Sequence, residues 1–190
     1  MAVTSDKREM IMAVARETAQ AQGYNGLSFR ELAKKVGIKS ASIHYYFPTK
    51  GDLGAALARR YTKDASDAFE VLLAESRDPA TCLRKYTEAF RIALENDNRM
   101  CLCGIMAAEY DALPEAVKDE VRAFADVNVA WLAKVLSTLD AFSDTGMAEE
   151  RALAIYAAIG GAQLTARSRA DISVFDKIVE SYRVAGLIPV

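Results

Sequence analysis

SFRELAKKVGIKSASIHYYFPTK, residues 28–50, contains the signals for two short helices joined by a tight turn. Apolar residues in its first part recur at positions i, i+3, i+4 and i+7, the period of one helix face: Phe29, Leu32, Ala33 and Val36. Ser28 and Glu31 have the spacing of a capping box, in which each side chain hydrogen-bonds a backbone N–H at the helix start. Gly37 follows the stripe and readily takes the left-handed conformation that ends a helix.

A second short helix is predicted after the turn, and its two faces differ in chemistry. Ile43 and Phe47 are predicted to face the core, and Pro48 prevents the helix from continuing. The other face is small or hydrogen-bonding: Lys39, Ser40, Ser42, His44 and Tyr45. Two short helices at this spacing, with the small Ala33 where they touch, predict a helix-turn-helix that enters DNA.

The side chains of this segment suit both the phosphate backbone and the base edges. Hydroxyl and ammonium groups are predicted to contact phosphate, which sets register without determining sequence: Ser28, Lys39, Tyr46 and Lys50. The residues predicted to face the groove are Ser40, Ala41, Ser42, His44 and Tyr45. Because the second helix has no arginine, the usual bidentate guanine contact is missing, and Lys39 or His44 is the weaker substitute. For His44, the alternative is a surface residue without a role in DNA binding. For Tyr45, the alternative is a side chain packed in the core.

The segment GIKSASIHYYFPTKGDL, residues 37–53, resembles the recognition helix and following segment of TetR-family transcriptional repressors. That family's pattern is roughly Gly-Val-Ser-x-x-x-Leu-Tyr-x-Tyr/His-Phe-x-x-Lys-x-x-Leu, and the matching positions are Gly37, Ile38, Ile43, Tyr46, Phe47, Lys50 and Leu53. Lys39 stands where Ser is usual and His44 where Tyr is usual. The specific resemblance covers about residues 6–55, and the remainder fits the family in length and helical character.

Composition and charge favour a globular protein whose N-terminal part binds nucleic acid. The chain has 190 residues, 52% of them hydrophobic, and no apolar run long enough to span a membrane. Residues 1–50 contain eight Lys or Arg and four Asp or Glu, a net charge of +4, while the remainder contains sixteen and twenty-two, a net charge of −6. A chance imbalance on solvated helices is the alternative. The charged N-terminus does not fit a signal peptide, and three cysteines suit a reducing cytoplasm, so a cytoplasmic location is expected.

Helical periodicity continues to the end of the chain, without strand alternation or internal repeats. Thr49 with Asp52 is predicted to cap a fourth helix, and Asp78-Pro79 to start a fifth. The predicted fold is all-α, with about nine helices. Residues 1–50 are expected to form a three-helix DNA-binding domain with the helix-turn-helix, and residues 51–190 a helical ligand-binding and dimerisation domain.

A homodimer is expected, because one recognition helix neutralises few phosphates and binds DNA weakly. Two helices related by a two-fold axis contact half-sites of a palindromic double-stranded operator about 34–36 Å apart, or a multiple of that spacing. The resemblance implies that the last two helices form a four-helix bundle with those of a partner. The small residues of AIYAAIGGAQ, residues 154–163, suit such close packing. Tight packing within one subunit is the alternative.

The resemblance also implies a small-molecule effector bound among the middle helices, whose binding releases the DNA. The candidate lining residues are large and several carry a polar group: Tyr86, Phe90, Met106, Tyr110, Trp131, Tyr156 and Gln163. Each is alternatively an ordinary core residue. Their methionine and aromatic character favours a hydrophobic or aromatic effector, and no cofactor is expected.

Cysteine chemistry and catalysis are the other hypotheses. Cys101 and Cys103 would point to nearly opposite faces of a helix, so they cannot readily form a disulfide or share a metal, and no histidine is nearby. They are predicted to be buried hydrophobes, and a thiol- or electrophile-responsive regulator using either one is the alternative, with Cys82 more distant. A helical enzyme is not expected, because paired acid–base groups, a nucleophile motif and a phosphate-binding Gly loop are all missing from the sequence. A partner-binding module with a vestigial helix-turn-helix is a third possibility.

Overall fold

A computed structural model describes residues 2–139 and 145–189, which form nine α-helices and a short 3-10 helix, Tyr110–Ala112, without any strand. The helices are α1 Ala2–Gln22, α2 Phe29–Val36, α3 Ser40–Tyr46, α4 Lys50–Glu75, α5 Pro79–Glu95, α6 Leu102–Ala108, α7 Glu115–Leu136, α8 Thr145–Arg169 and α9 Ile172–Val184. The predicted all-α fold is therefore confirmed. None of these helices has the length and apolar character needed to cross a bilayer.

Three of the predicted helix ends are confirmed by their hydrogen bonds. Gly37 has φ +77° and its N–H donates to the Ala33 carbonyl at 2.9 Å, which closes α2. Thr49 and Asp52 form a reciprocal capping box at the start of α4: the Thr49 N–H donates to Asp52 Oδ2 at 2.9 Å, and the Asp52 N–H donates to Thr49 Oγ1 at 3.1 Å. Asp78 caps α5 by accepting the Thr81 N–H at 3.0 Å.

The predicted capping box at Ser28 and Glu31 is wrong. Ser28 has the extended backbone of an N-cap residue, but its side chain makes no cap hydrogen bond. Glu31 accepts a hydrogen bond from Lys34 Nζ at 2.8 Å, one turn further along the exposed side of α2. This bond with Lys34 lowers the pKa of Glu31. The carboxylate is therefore held by a charged donor on its own helix, and a contact back to the Ser28 N–H does not form.

The chain divides into two compact units, and the first contains the helix-turn-helix. This unit comprises the chain up to Thr62 together with Leu102–Phe124. In it, α1 packs against α2 and α6, and α2 packs against α3. The buried side chains beneath these contacts are Ile11, Ala15, Leu32, Ile43, Phe47 and Leu53. The predicted inward orientation of Ile43 and Phe47 is thus observed.

The second unit comprises Lys63–Cys101 and the chain from Ala125 onward. Here α8 packs along α9, and α5 contacts both. Its largest fully buried side chains are Tyr86, Leu83, Leu132, Leu136, Ile155 and Phe175. Because α4 and α7 each contribute residues to both units, the division falls within helices. The predicted functional boundary after residue 50 stays a prediction.

Gly54 is required by close packing in the first unit, which gives a test of the fold. A Cβ at this position would lie 2.7 Å from Tyr24 Cε2 and 3.1 Å from Val117 Cγ2. We expect Gly54→Ala to lower the free energy of unfolding by about 1–3 kcal/mol, because the neighbouring side chains must shift. Gly51→Ala on the same helix is the control, since its nearest neighbour would be Pro114 Cγ at 3.3 Å. Equal urea midpoints for the two variants would contradict this account of the packing.

Candidate DNA-binding surface and effector cavity

The outward side of α3, with Lys39 before it, forms a surface that we call the recognition surface. Its members are Lys39, Ser40, Ala41, Ser42, His44, Tyr45 and Tyr46. Lys39, Ala41, His44 and Tyr45 are exposed, and Tyr45 is 77% exposed. Ser40, Ser42 and Tyr46 are half-buried. The buried Ile43 and Phe47 anchor α3 from the other side. The face of α3 that is exposed to solvent is therefore the one predicted from the sequence.

Contacts between rings hold the aromatic side chains of this surface in place. The rings of Tyr45 and Tyr46 meet edge to face with centroids 5.1 Å apart. The His44 ring meets the ring of Phe29 in the same way at 4.8 Å, and its Nδ1 lies 3.1 Å from the Pro48 carbonyl oxygen. These side chains are therefore oriented before any ligand binds.

Ser28 and Lys50, two of the predicted phosphate contacts, lie at helix starts but differ in their partners. Ser28 precedes α2 and its side chain is not used as a cap. Lys50 opens α4, and its Nζ donates to the Asn25 carbonyl at 3.3 Å and lies 4.5 Å from the centroid of the Tyr24 ring. Burial lowers the pKa of Lys50, and the charge of Glu109 partly offsets this. An ammonium group has three N–H donors, so Lys50 keeps donors for a phosphate while it contacts the turn.

Glu109, which sequence reasoning missed, holds the turn between α1 and α2. Its carboxylate accepts the backbone N–H of Tyr24 in a short hydrogen bond and that of Asn25 at 3.3 Å. Gly23 has φ +77°, and a Cβ there would overlap this carboxylate. The contact joins residues about 85 positions apart in sequence, so no local signal marks it. The turn that orients α2 therefore depends on a residue just beyond α6.

Three of the predicted effector residues form one aromatic cluster in the second unit. The ring of Trp131 stacks on that of Tyr86 with centroids 5.7 Å apart, and the ring of Tyr86 lies 5.2 Å from that of Phe90. Phe69, which was not predicted, completes the cluster by stacking on Trp131 at 4.6 Å. A signal for it was available in the sequence, because Phe69 continues the four-residue spacing of Leu53, Leu57, Tyr61 and Ala65 along α4.

The polar atoms of this cluster are satisfied inside the protein. Trp131 Nε1 donates to the Phe69 carbonyl at 3.2 Å, and the Tyr86 hydroxyl donates to Asn128 Oδ1 at 3.1 Å. Burial raises the pKa of Tyr86 well above its ordinary value, with smaller contributions from Tyr156 and Cys101. The tyrosine is thus a neutral hydrogen-bond donor in this environment.

The remaining predicted effector residues have different surroundings. Gln163 is fully buried, with its Oε1 accepting the Cys101 N–H at 3.0 Å and its Nε2 donating to the Phe90 carbonyl at 2.7 Å. Tyr156 is half-buried on α8. Met106 and Tyr110 belong to the first compact unit, where Met106 is fully buried and Tyr110 is exposed beneath Lys118 Nζ, 4.6 Å from its ring centroid.

A surface groove of about 230 Å³ lies beside the aromatic cluster, between α4 and α7. It is lined by Ser66, Phe69, Glu70, Val127, Ala130, Trp131 and Lys134. An ion pair spans it at the surface, with Lys134 Nζ 3.9 Å from Glu70 Oε1. Both side chains of the pair are exposed, so it contributes little to stability and can open at low cost.

The cysteines provide no reactive or metal-binding cluster. Cys82, Cys101 and Cys103 are all buried free thiols. Burial raises the pKa of Cys82, which disfavours its reactive thiolate form. Within the described residues, no group of three or more His, Cys, Asp or Glu side chains is arranged to hold a metal ion. The thiol-responsive alternative is therefore not favoured.

The chain is similar to known proteins both in its N-terminal sequence and in its fold. A family model described as bacterial regulatory proteins, tetR family, matches residues 11–57. A transcriptional regulator of the TetR family from Agrobacterium tumefaciens is 32% identical, with a TM-score of 0.87 and coverage of 94% of this chain and 96% of that chain. For a TetR transcriptional regulator from Legionella pneumophila, the identity is 30%, the TM-score 0.84, and the coverage 90% and 91%.

Fold similarity extends to more distant proteins. The reduced form of NemR from E. coli is 20% identical with a TM-score of 0.79, covers 93% of this chain and 95% of its own, and shares the fold alone. The curated proteins that were compared gave no match.

Glu109 offers a direct test of the turn. We expect Glu109→Ala to lower the free energy of unfolding by about 1–3 kcal/mol, because the Tyr24 and Asn25 N–H groups lose their acceptor. Asp111→Ala removes an exposed carboxylate two residues later and is the control. Urea unfolding at one fixed protein concentration measures both variants. A Glu109→Ala protein as stable as the Asp111→Ala protein would show that the carboxylate does not hold the turn.

Proposed function

This chain belongs to the TetR family of bacterial regulatory proteins, and we propose that it represses transcription by binding a palindromic operator as a dimer until a small molecule releases it. It is a DNA-binding transcriptional regulator with the fold of that family, for which ligand-responsive repression is typical. The observation that carries the proposal is the recognition surface, where exposed hydrogen-bonding side chains project from a helix anchored by Ile43 and Phe47. We assign no enzymatic activity to it.

The proposed DNA contacts divide into two groups by chemistry. Phosphate contacts are assigned to side chains with hydroxyl or ammonium groups: Ser28, Lys39, Tyr46 and Lys50. The contacts to base edges are assigned to Ser40, Ala41, Ser42, His44 and Tyr45. Tyr45 is the strongest candidate of the second group, because its ring is the most exposed aromatic side chain of the surface and can pack against a thymine methyl group.

TetR-family regulators bind their operators as dimers, and we propose that α8 and α9 form the interface here. A Cβ added at Gly160 or Gly161 would meet no atom within 4 Å, so packing inside one chain does not require either glycine. Apolar side chains on the same two helices are also uncovered, with Leu153 57%, Leu164 53% and Val184 82% exposed. A second copy of the chain would cover this apolar face and approach α8 closely at the glycines.

The proposed effector site is the groove beside Trp131 and Phe69. Its volume of about 230 Å³ is smaller than the roughly 300–1,000 Å³ of ligand pockets, so binding would require the aromatic cluster to shift. The stacked rings favour a small hydrophobic or aromatic effector. Trp131 is the single tryptophan of the chain, so its fluorescence would report effector binding directly. We propose a cytoplasmic location, which the buried cysteine thiols and the operator-binding role support.

Operator binding by Tyr45 variants tests the proposed function. Anisotropy titrations with labelled genomic fragments should find a specific site whose affinity falls as salt rises. Tyr45→Ala should weaken that site by about 1–3 kcal/mol, while Tyr45→Phe, which keeps the ring, should retain most of the affinity. Binding that ignores sequence or salt concentration would contradict the assignment of a specific repressor. Equal operator affinity for wild type and Tyr45→Ala would contradict the proposed contact of Tyr45 with base edges in the groove.

The interface proposal predicts a graded response at Gly161. Gly161→Leu should leave the helical fold intact, because the added side chain meets open space in its own chain, but should separate the dimer. Gly161→Ala, with a smaller side chain, should weaken the dimer less. Sedimentation equilibrium measures the dimer dissociation constant, and circular dichroism confirms the helix content. A Gly161→Leu protein that stays dimeric at the wild-type concentration range would place the interface elsewhere.

A further inference from the structure

His44 is held in one orientation by two contacts within its own unit. Its Nδ1 lies 3.1 Å from the carbonyl oxygen of Pro48, and its ring meets the edge of the Phe29 ring with an interplanar angle of 66°. A carbonyl oxygen only accepts hydrogen bonds, so the hydrogen of this pair must be on Nδ1. The contact therefore selects the tautomer of the neutral ring.

The tautomer fixes what the other ring nitrogen can do. A neutral imidazole with its hydrogen on Nδ1 has a lone pair and no hydrogen on Nε2, so Nε2 can only accept. His44 is exposed, and in the part of the chain that the structure describes its Nε2 has no hydrogen-bond partner. The recognition surface thus presents one oriented acceptor whose partner must come from another molecule.

We infer that His44 Nε2 accepts a hydrogen bond from the amino group of an adenine or a cytosine in the major groove of the operator. Adenine N6 and cytosine N4 are the donors on the major-groove edges, whereas guanine N7 and O6 and thymine O4 only accept. This deepens the proposed function and rests on it. It also differs from the guanine contact that the sequence suggested for His44. Guanine N7 and O6 require a donor, and Nε2 of a ring in this tautomer only accepts.

The orientation gives His44 a role that the usual residue of the family does not have. The tyrosine usual at this position has a rotatable hydroxyl that both donates and accepts, so it is compatible with either kind of base edge. A histidine whose Nδ1 is occupied by Pro48 accepts only, so it gains a hydrogen bond only where the base pair places its amino group within reach of Nε2. Because the ring is already fixed by Phe29 and Pro48, little side-chain entropy is lost on binding.

The tautomer can be measured without any operator. His44 is the only histidine in the chain, so the uniformly ¹⁵N-labelled full-length protein gives a single set of imidazole signals. In a long-range ¹H–¹⁵N correlation spectrum at pH 8, we expect the pattern of a neutral ring protonated on Nδ1. The pattern of a ring protonated on Nε2 would overturn the inference, because that nitrogen would then donate.

Operator variants then test the base. A substitution series over the operator identifies the base pair at which the wild type discriminates and His44→Phe does not; phenylalanine keeps the contact with Phe29 but lacks the acceptor. Every base pair has one amino group in the major groove, on adenine N6 or cytosine N4, so the test removes that group at the pair identified. Replacing adenine by 2-aminopurine, which moves the amino group to the minor groove, or cytosine by its 4-deamino analogue, should weaken wild-type binding about three- to tenfold and His44→Phe binding less than twofold.

The outcomes separate this inference from the proposed function. An unchanged wild-type affinity for the analogues at the His44-dependent pair would overturn the acceptor role. Specific operator binding in which no base pair depends on His44 would also overturn it, while leaving the proposed function in place. The absence of any specific operator would instead count against the proposed function. The NMR experiment would still test the tautomer of His44, because it needs no DNA.

Discussion

The hydrogen bonds between Glu109 and the turn after α1 are the constraint on which the DNA-binding unit depends. Two consecutive backbone N–H groups, of Tyr24 and Asn25, have this one carboxylate as their acceptor, and Gly23 provides the space for it. The turn sets where α2 begins, and α3 packs on α2. The position of the recognition surface therefore depends on a residue beyond α6. Lys50 contacts the same turn from the start of α4, so the phosphate-binding candidate and the carboxylate act on one short segment.

In the second unit, buried polar side chains link the helices by hydrogen bonds. Gln163 links α8 to the backbone of α5 at Phe90 and to the backbone at Cys101. Asn128 links α7 to α5 through the Tyr86 hydroxyl. A buried polar group without a partner costs about 1–3 kcal/mol, so each of these pairs favours a single arrangement of the helices. The aromatic cluster contains Tyr86 and contacts the same helices, so a ligand at the effector site that we propose would shift helix positions and not only side chains.

The α8 helix contributes to the core of its own unit and to the interface that we propose. One side supplies the buried Ile155, Ile159 and Gln163 to the core of its unit, while Leu153 and Leu164 remain exposed. Apolar residues around most of a helix indicate that it is covered on more than one side. A Cβ at Gly160 or Gly161 would meet no neighbouring atom within 4 Å, which supports the proposed second copy over the alternative of tight packing inside one subunit. The surfaces that we propose for DNA recognition and for dimerisation thus differ in chemistry: hydrogen-bonding on α3 and apolar on α8 and α9.

The sequence alone was sufficient for features that depend on neighbours within one helical turn. The end of α2 at Gly37, the capping box of Thr49 and Asp52, and the buried side of α3 follow from spacings of three or four residues, and all are observed. The prediction at Ser28 and Glu31 was wrong because Lys34 offered a nearer charged donor. Tertiary structure alone decided the contacts between distant residues: Glu109 with the turn, Gln163 with two backbones, and the placement of Met106 outside the unit of the aromatic cluster.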